Sequence, residues 1–162
     1  MASSASKATI KMLLEVIEDL GLSTVTDDQV THKYEKSGIY TSTSTPDVAL
    51  VYEGTVALTA GTATLDLTNV SDKGGNTIAT TDLKVRMIYA RPTTTNTGAL
   101  TLTEGSSNGY ELFGSGWTIA LTAGQEFVAF CDSDTPDVTA STCEIDLSGT
   151  GTESIDLLIV FG

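Results

Sequence analysis

The sequence predicts an all-β protein built around an antiparallel β-sandwich of about eight strands. Three observations predict it. From Val48 onward, apolar residues recur at alternate positions in short runs, the period of a strand with one buried face. Turn residues separate these runs roughly every 8 to 14 positions, a spacing typical of sandwiches and barrels. Charged residues are only 18% of the chain while threonine fills 28 positions, a hydroxyl-rich texture that suits pleated surfaces better than helices. With 162 residues there is material for one domain with a sizeable core, plus an appendage.

The appendage comes first. Ile10, Leu13, Leu14, Ile17 and Leu20 follow the i, i+3, i+4, i+7 rhythm of one helical stripe, with Ser4 or Ser6 as N-cap and Gly21 as the stop. This predicts an amphipathic helix over 6–20. A helix of about 15 residues is marginal alone in water, so its stripe must rest on its own domain or on a neighbouring subunit. Residues 22–47 show no sustained period and end in the run Thr41-Ser42-Thr43-Ser44-Thr45-Pro46-Asp47, which predicts an extended arm with at most a short strand near 37–41. The predicted organisation is therefore a helix and arm over 1–47 and a sandwich over 48–162.

Within the sandwich, Leu50, Tyr52, Gly54 and Val56 alternate up to Leu58. Ala60-Gly61 supplies a turn, and Ala63, Leu65 and Leu67 resume the alternation. This predicts two hairpinned strands. A third runs from Asp82 to Ala90 with Leu83, Val85, Met87 and Tyr89 on one face, ended by Pro92. Further strands are read at Leu100–Leu102, Trp117–Leu121, Phe127–Cys131 and Cys143–Leu147. The final Ile155–Phe161, apolar apart from Asp156, reads as a strand buried on both faces. Ala57-Leu58-Thr59-Ala60-Gly61 recurs as Ala120-Leu121-Thr122-Ala123-Gly124, and Leu65-Asp66-Leu67-Thr68 is echoed by Ile145-Asp146-Leu147-Ser148. Together these strands predict a jelly-roll-like sandwich, with a single curled barrel as the alternative.

Charge narrows the function. Eight basic residues oppose 21 acids for a net −13, which disfavours any partner held through phosphates, so nucleic acid is excluded as an expected partner. All the basic residues lie before position 92, and the remainder holds ten acids. If the chain self-associates, these unlike ends are available to join. No leader of the secretory kind opens the sequence, and no apolar stretch is long enough to span a bilayer as a helix.

Motifs for chemistry are sparse. His32, the sole histidine, sits in the arm beside Lys33 rather than at a strand end, which argues against a nucleophile and base pair. Gly74-Gly75 lacks the spacing of a phosphate loop. No carboxylate pair or row of aromatics marks a glycosidase cleft. Cys131 and Cys143 flank a polar loop; they are read as a free reduced pair, with a disulfide as the alternative. Asp132, Asp134 and Asp137 could offer hard oxygen ligands to Ca²⁺, but the spacing of a calcium-binding helix-loop-helix is absent and a Pro-containing Asp/Ser turn is the better explanation. The loop Gly105–Tyr110 could present Tyr110, Phe113 and Trp117.

The short N-terminal arm, the Ser/Thr segment through Thr45-Pro46-Asp47 and the compact sandwich with Ala57–Gly61-like turns resemble small bacteriophage virion proteins of the capsid decoration (cement) or jelly-roll shell type. The resemblance is one of texture and carries no functional residues across. It implies a virion structural protein, not an enzyme, assembled in the host cytoplasm, with copies of itself and other capsid proteins as partners and without a membrane. The expected assembly residues are Ile10, Leu13, Leu14 and Ile17. The alternative is an adhesin-like or carbohydrate-binding sandwich that uses the Asn108–Tyr110 and Asp132–Asp137 loops, with Ca²⁺ as its only candidate cofactor.

Overall fold

The computed structural model describes residues 7–19, 29–45, 47–131 and 134–162. All its regular elements are strands apart from one 3-10 turn at Leu67–Asn69. They are β1 (Lys7–Asp19), β2 (Gln29–Thr41), β3 (Leu50–Ala57), β4 (Thr62–Asp66), β5 (Val85–Pro92), β6 (Leu100–Glu104), β7 (Thr118–Leu121), β8 (Phe127–Phe130), β9 (Glu144–Ser148) and β10 (Ser154–Phe161). β1 and β2 form a two-stranded ribbon. The others form two four-stranded sheets, β3-β10-β5-β8 and β4-β9-β6-β7, in which every pairing is antiparallel.

The pairing is nested. β3 pairs with β10, β4 with β9, β5 with β8, and β6 with β7, so the chain resembles one long hairpin folded over itself. Two further ladders, β10 with β5 and β9 with β6, join these pairs side by side within each sheet. One buried cluster draws from both sheets, including Ile88, Leu157, Ile159 and Phe161 from the first and Leu65, Leu102, Ile145 and Leu147 from the second. Burial of these apolar side chains is the main force joining the two sheets.

Several expectations are corrected. The helix over 6–20 is strand β1. Beneath the helical stripe lies a second signal, with Ile10, Met12, Leu14 and Val16 recurring with period two, in a segment rich in β-branched Thr9, Ile10, Val16 and Ile17. The segment read as an irregular arm supplies β2, which meets β1 residue for residue from Lys7 opposite Thr41 to Asp19 opposite Gln29. Cross-strand partners 10 to 34 residues away decided the state, and local periodicity could not report them.

The strands at 50–57 and 62–66 are not a hairpin within one sheet. Ala60 and Gly61 both take positive φ (52° and 85°), and Thr59 and Thr62 bridge across them, but β3 and β4 then part into different sheets. The echo at Ala120–Gly124 does the same in reverse. Gly124 has φ 86°, and the chain passes from β7 in the second sheet to β8 in the first. The repeated pentapeptide thus marks two corners where the chain changes sheet, and glycine supplies the left-handed backbone each needs. The weaker echo marks β4 and β9, which pair directly, with Leu65 opposite Ile145.

In β5 the predicted face breaks after Val85. Opposite Val160 and Phe161 the register skips Arg86, a bulge that inverts the parity of the residues beyond it. Ile88 and Ala90 therefore enter the core while Met87 and Tyr89 turn outward, only partly exposed. β10 lies in the middle of its sheet, between β3 and β5. Ile155, Leu157, Ile159 and Phe161 fill the core, and Val160 on the opposite face is buried as well. Gly162 continues this tie, exchanging backbone hydrogen bonds of 3.0 Å with Lys84 in both directions.

Candidate functional site

The outer face of the β3-β10-β5-β8 sheet is apolar at one end. Val51, Val160, Met87 and Phe130 lie side by side across its four strands, followed by Glu53, Leu158, Tyr89 and Val128, and then by Thr55, Asp156 and Arg91. The last row is a polar cluster. Asp156 accepts from the Thr55 hydroxyl at 2.7 Å and from Arg91 at 3.1 Å, and these two donors, the hydroxyl first, hold its carboxyl below the usual range.

The base of the ribbon leans over the apolar rows. Ala8, Lys36 and Tyr40 share a cleft of about 270 Å³ with Asp47, Arg86, Met87 and Phe130. A second cleft of about 370 Å³ brings Thr9, Lys11 and Met12 opposite Tyr89, Phe127 and Leu158. The Lys36 ammonium sits 4.6 Å from the centre of the Phe130 ring, a cation–π contact. Arg86 reaches Asp47 at 3.1 Å, and Val48 is buried, so the Ser/Thr segment is tied to the sheet immediately after β2.

Directly opposed residues of an antiparallel pair lie on the same face. One face of the ribbon therefore holds Ala8, Met12, Leu14 and Val16 with Tyr40, Lys36, Tyr34, His32 and Val30. Near the body, Ala8, Met12, Lys36 and Tyr40 are partly covered. Farther along, the same stripe is bare: Leu14 is 59% exposed, Val16 49%, Val30 40% and Tyr34 57%. The other face holds Lys7, Thr9, Lys11, Leu13, Glu15 and Ile17 with Thr41, Ile39, Ser37, Glu35, Lys33 and Thr31, all but Thr41 exposed. The four expected assembly residues are thus divided. Leu13 and Ile17 lie on this second face, Leu14 on the first, and position 10 has the parity of Leu14. The helical spacing that grouped them does not exist in a strand.

Basic residues divide in the same way. The four in the body each meet a carboxylate: Lys73 with Glu53, Lys84 with Asp137, Arg86 with Asp47 and Arg91 with Asp156. The other four, Lys7, Lys11, Lys33 and Lys36, all lie on the ribbon.

Of the candidate calcium ligands, Asp132 lies outside the described residues, and Asp137 faces Lys84 at 3.2 Å. Among the described residues no group of three His, Cys, Asp or Glu side chains is placed to hold a metal ion, Asp134 and Asp137 included. Cys131 and Cys143 are both free and buried, and burial pushes each thiol up to about 11. Tyr110 and Trp117 belong to the core, where the Trp117 indole N–H donates to the Tyr110 carbonyl at 2.8 Å. Phe113 is exposed and stands edge-on to Trp117 and Phe127.

The sequence reading anticipated the covered outer sheet face only at β10, read as buried on both faces, and missed it at Met87, Tyr89 and Phe130. The signal is in β10, whose apolar run from Leu157 to Phe161 includes the outward Leu158 and Val160. Comparison of the chain with protein-family models, curated proteins and solved structures finds no match.

Proposed function

We propose that this chain is a structural subunit of a virus particle, of the decoration or small-shell type, whose body is a jelly-roll sandwich and whose ribbon is the arm that holds neighbouring subunits. Three features support the jelly-roll reading: the nested strand pairing, the alternation of strands between two four-stranded sheets, and the single cluster of buried residues drawn from both. The sheet-on-sheet layers supply rigidity, and the ribbon supplies reach.

One observation carries the assembly reading. The apolar stripe that caps the subunit's own outer sheet through Met12 and Tyr40 continues, uncovered, through Leu14, Val16, Val30 and Tyr34. A two-stranded ribbon is marginal by itself, and one with large apolar side chains bare on its surface gains stability by seating them on something. If the four are buried on an adjoining subunit, each contributes about 1.5–3 kcal/mol before the cost of ordering, and repetition over many subunits multiplies the effect. The acidic body, with its basic residues already matched to carboxylates, keeps subunits soluble until the arms engage.

The test is the state of the full-length protein in solution. Light scattering after size exclusion, with electron microscopy of the same fractions, is expected to give discrete oligomers or particles whose size depends on concentration. A monomer at every concentration up to the solubility limit overturns the reading.

A further inference from the structure

The second face of the ribbon, exposed from Lys7 to Ile17 on β1, has an order of its own. On this face β1 carries Lys7 and Lys11 first, then Leu13, then Glu15, with Glu35 opposite Leu13 and Lys33 opposite Glu15 on β2. Leu13 is 59% exposed. Along β1 the order lysine, leucine, glutamate, spaced two residues apart about Leu13, complements itself when reversed.

We propose that this face pairs with the same face of a second copy, antiparallel, about a two-fold axis through Leu13. The proposal rests on the assembly reading above and adds to it a specific contact between arms. An axis lying between the faces and across the strands sets β1 over β1 with its direction reversed. Leu13 then meets Leu13, and Lys11 meets the partner copy's Glu15, twice by symmetry, since each lies two residues from the axis. Thr9 meets Ile17, with Ile39 and Thr31 beside them on β2. The like-charge meeting of Glu35 with its own copy is flanked by Lys33 from both chains, and Lys33 already lies 3.6 Å from Glu35 within each chain. No other register along β1 matches both the charges and the leucine.

The occupant is a second copy because the complementarity is internal to this face. Lys7 and Lys11 lie on this face, and the match in sign for Lys11, Glu15, lies four residues along the same strand at an equal distance from Leu13. A strip two strands wide and some 40 Å long buries on the order of 1,000 Å² over both copies, the lower end for a stable dimer. The pairing is therefore weak between free subunits and becomes firm where the other ribbon face is also engaged.

Sedimentation velocity of the full chain at low ionic strength tests it. Lys11→Glu and Glu15→Lys are each expected to weaken self-association roughly tenfold, because two symmetric attractions become repulsions. The double variant Lys11→Glu/Glu15→Lys is expected to restore it to within about threefold, since the pair is only exchanged. Separately, Leu13→Cys is expected to give a covalent dimer with a short bis-maleimide, and Thr31→Cys, far from its own copy in this arrangement, is not. If oligomers form but the double variant is as weak as the singles, or Leu13→Cys does not cross-link, the two-fold pairing is overturned and the assembly reading stands. If the unaltered chain never associates, both fall.

Discussion

The Glu153 carboxylate closes the loop ahead of β6 by accepting the Gly98 backbone N–H at 2.6 Å. The neighbouring Thr97 N–H donates to the same oxygen at 3.1 Å, and Thr150 N–H donates to the other, also at 3.1 Å. Glu153 is itself a buried residue, so these backbone donors, from Thr150 and Gly98 most of all, are what keep it ionised and hold its carboxyl below the usual range. A depressed folded-state value means that the stabilisation is complete above the unfolded carboxyl value of about 4.3 and is lost as pH falls through the folded one. Asp156 acts in the same direction. Thermal unfolding between pH 7 and 3 should show a falling Tm on the acid side. Glu153→Gln should lower Tm at pH 7 and flatten that fall, because an amide has one acceptor oxygen where the carboxylate uses two. An unchanged Tm at pH 7 would show the loop to be held by other means.

Tyr110 pins two distant segments. Its hydroxyl accepts the Val85 N–H at 3.0 Å and donates to the Pro136 carbonyl at 2.7 Å, inside a wholly buried site where burial raises its pKa. Tyr110→Phe keeps the ring but leaves a buried N–H and a carbonyl unmatched, at a cost of about 1–3 kcal/mol. Urea unfolding should show a lower midpoint at unchanged slope. A shift of less than a few tenths of a kcal/mol would mean that water replaces the hydroxyl.

Cys131 and Cys143 are free and buried, with thiols pushed up to about 11 by burial above all. Arg86 pulls Cys131 down slightly and Asp66 raises Cys143 further. At pH 8 only on the order of one thiol in a thousand is ionised, so a thiol reagent should react slowly with the native protein and promptly with both groups in denaturant. Rapid stoichiometric labelling of the folded chain would contradict the burial, and absence of labelling in denaturant would indicate a bond between them.

How much of this was legible beforehand varies along the chain for physical reasons. β6, β7 and β9 were plain, because Leu100, Leu102, Leu121, Ile145 and Leu147 alternate strictly against a single wet face. β5 was half legible, since Leu83 to Tyr89 alternates in sequence while the bulge at Arg86 turns Met87 and Tyr89 outward. A bulge is set by the partner strand and leaves no mark in one sequence. The sheet-changing corners were visible as a repeated pentapeptide but were indistinguishable from hairpin turns, which use the same Ala-Gly backbone. The ribbon was misread because Leu13, Leu14 and Ile17 satisfy a helical period while Met12, Leu14 and Val16 satisfy a strand period. Only the partner segment from Gln29 to Thr41 decides between them. The four side chains expected to assemble were grouped by a helical spacing that the strand does not have.

The bare half of the ribbon's first face gives the last test. Leu14, Val16 and Tyr34 are about half or more exposed in the isolated subunit, so replacing all three by serine removes little packing there, and each change should cost no more than about 0.5 kcal/mol of subunit stability. The effect on assembly is opposite in scale. Each side chain lost from a contact forfeits about 1.5–3 kcal/mol of apolar burial, and the loss recurs at every copy of the contact. The triple variant is therefore expected to unfold at nearly the temperature of the parent chain while its oligomers shrink or disappear in light scattering. The covered half of the same stripe is the internal control. Met12→Ser sits over Tyr89 and Leu158 of its own chain. It should loosen the ribbon from the body, lower Tm and leave the bare residues in place. Oligomers that survive the triple variant while the subunit itself unfolds several degrees earlier would reverse the assignment, making the stripe a folding element of the single chain.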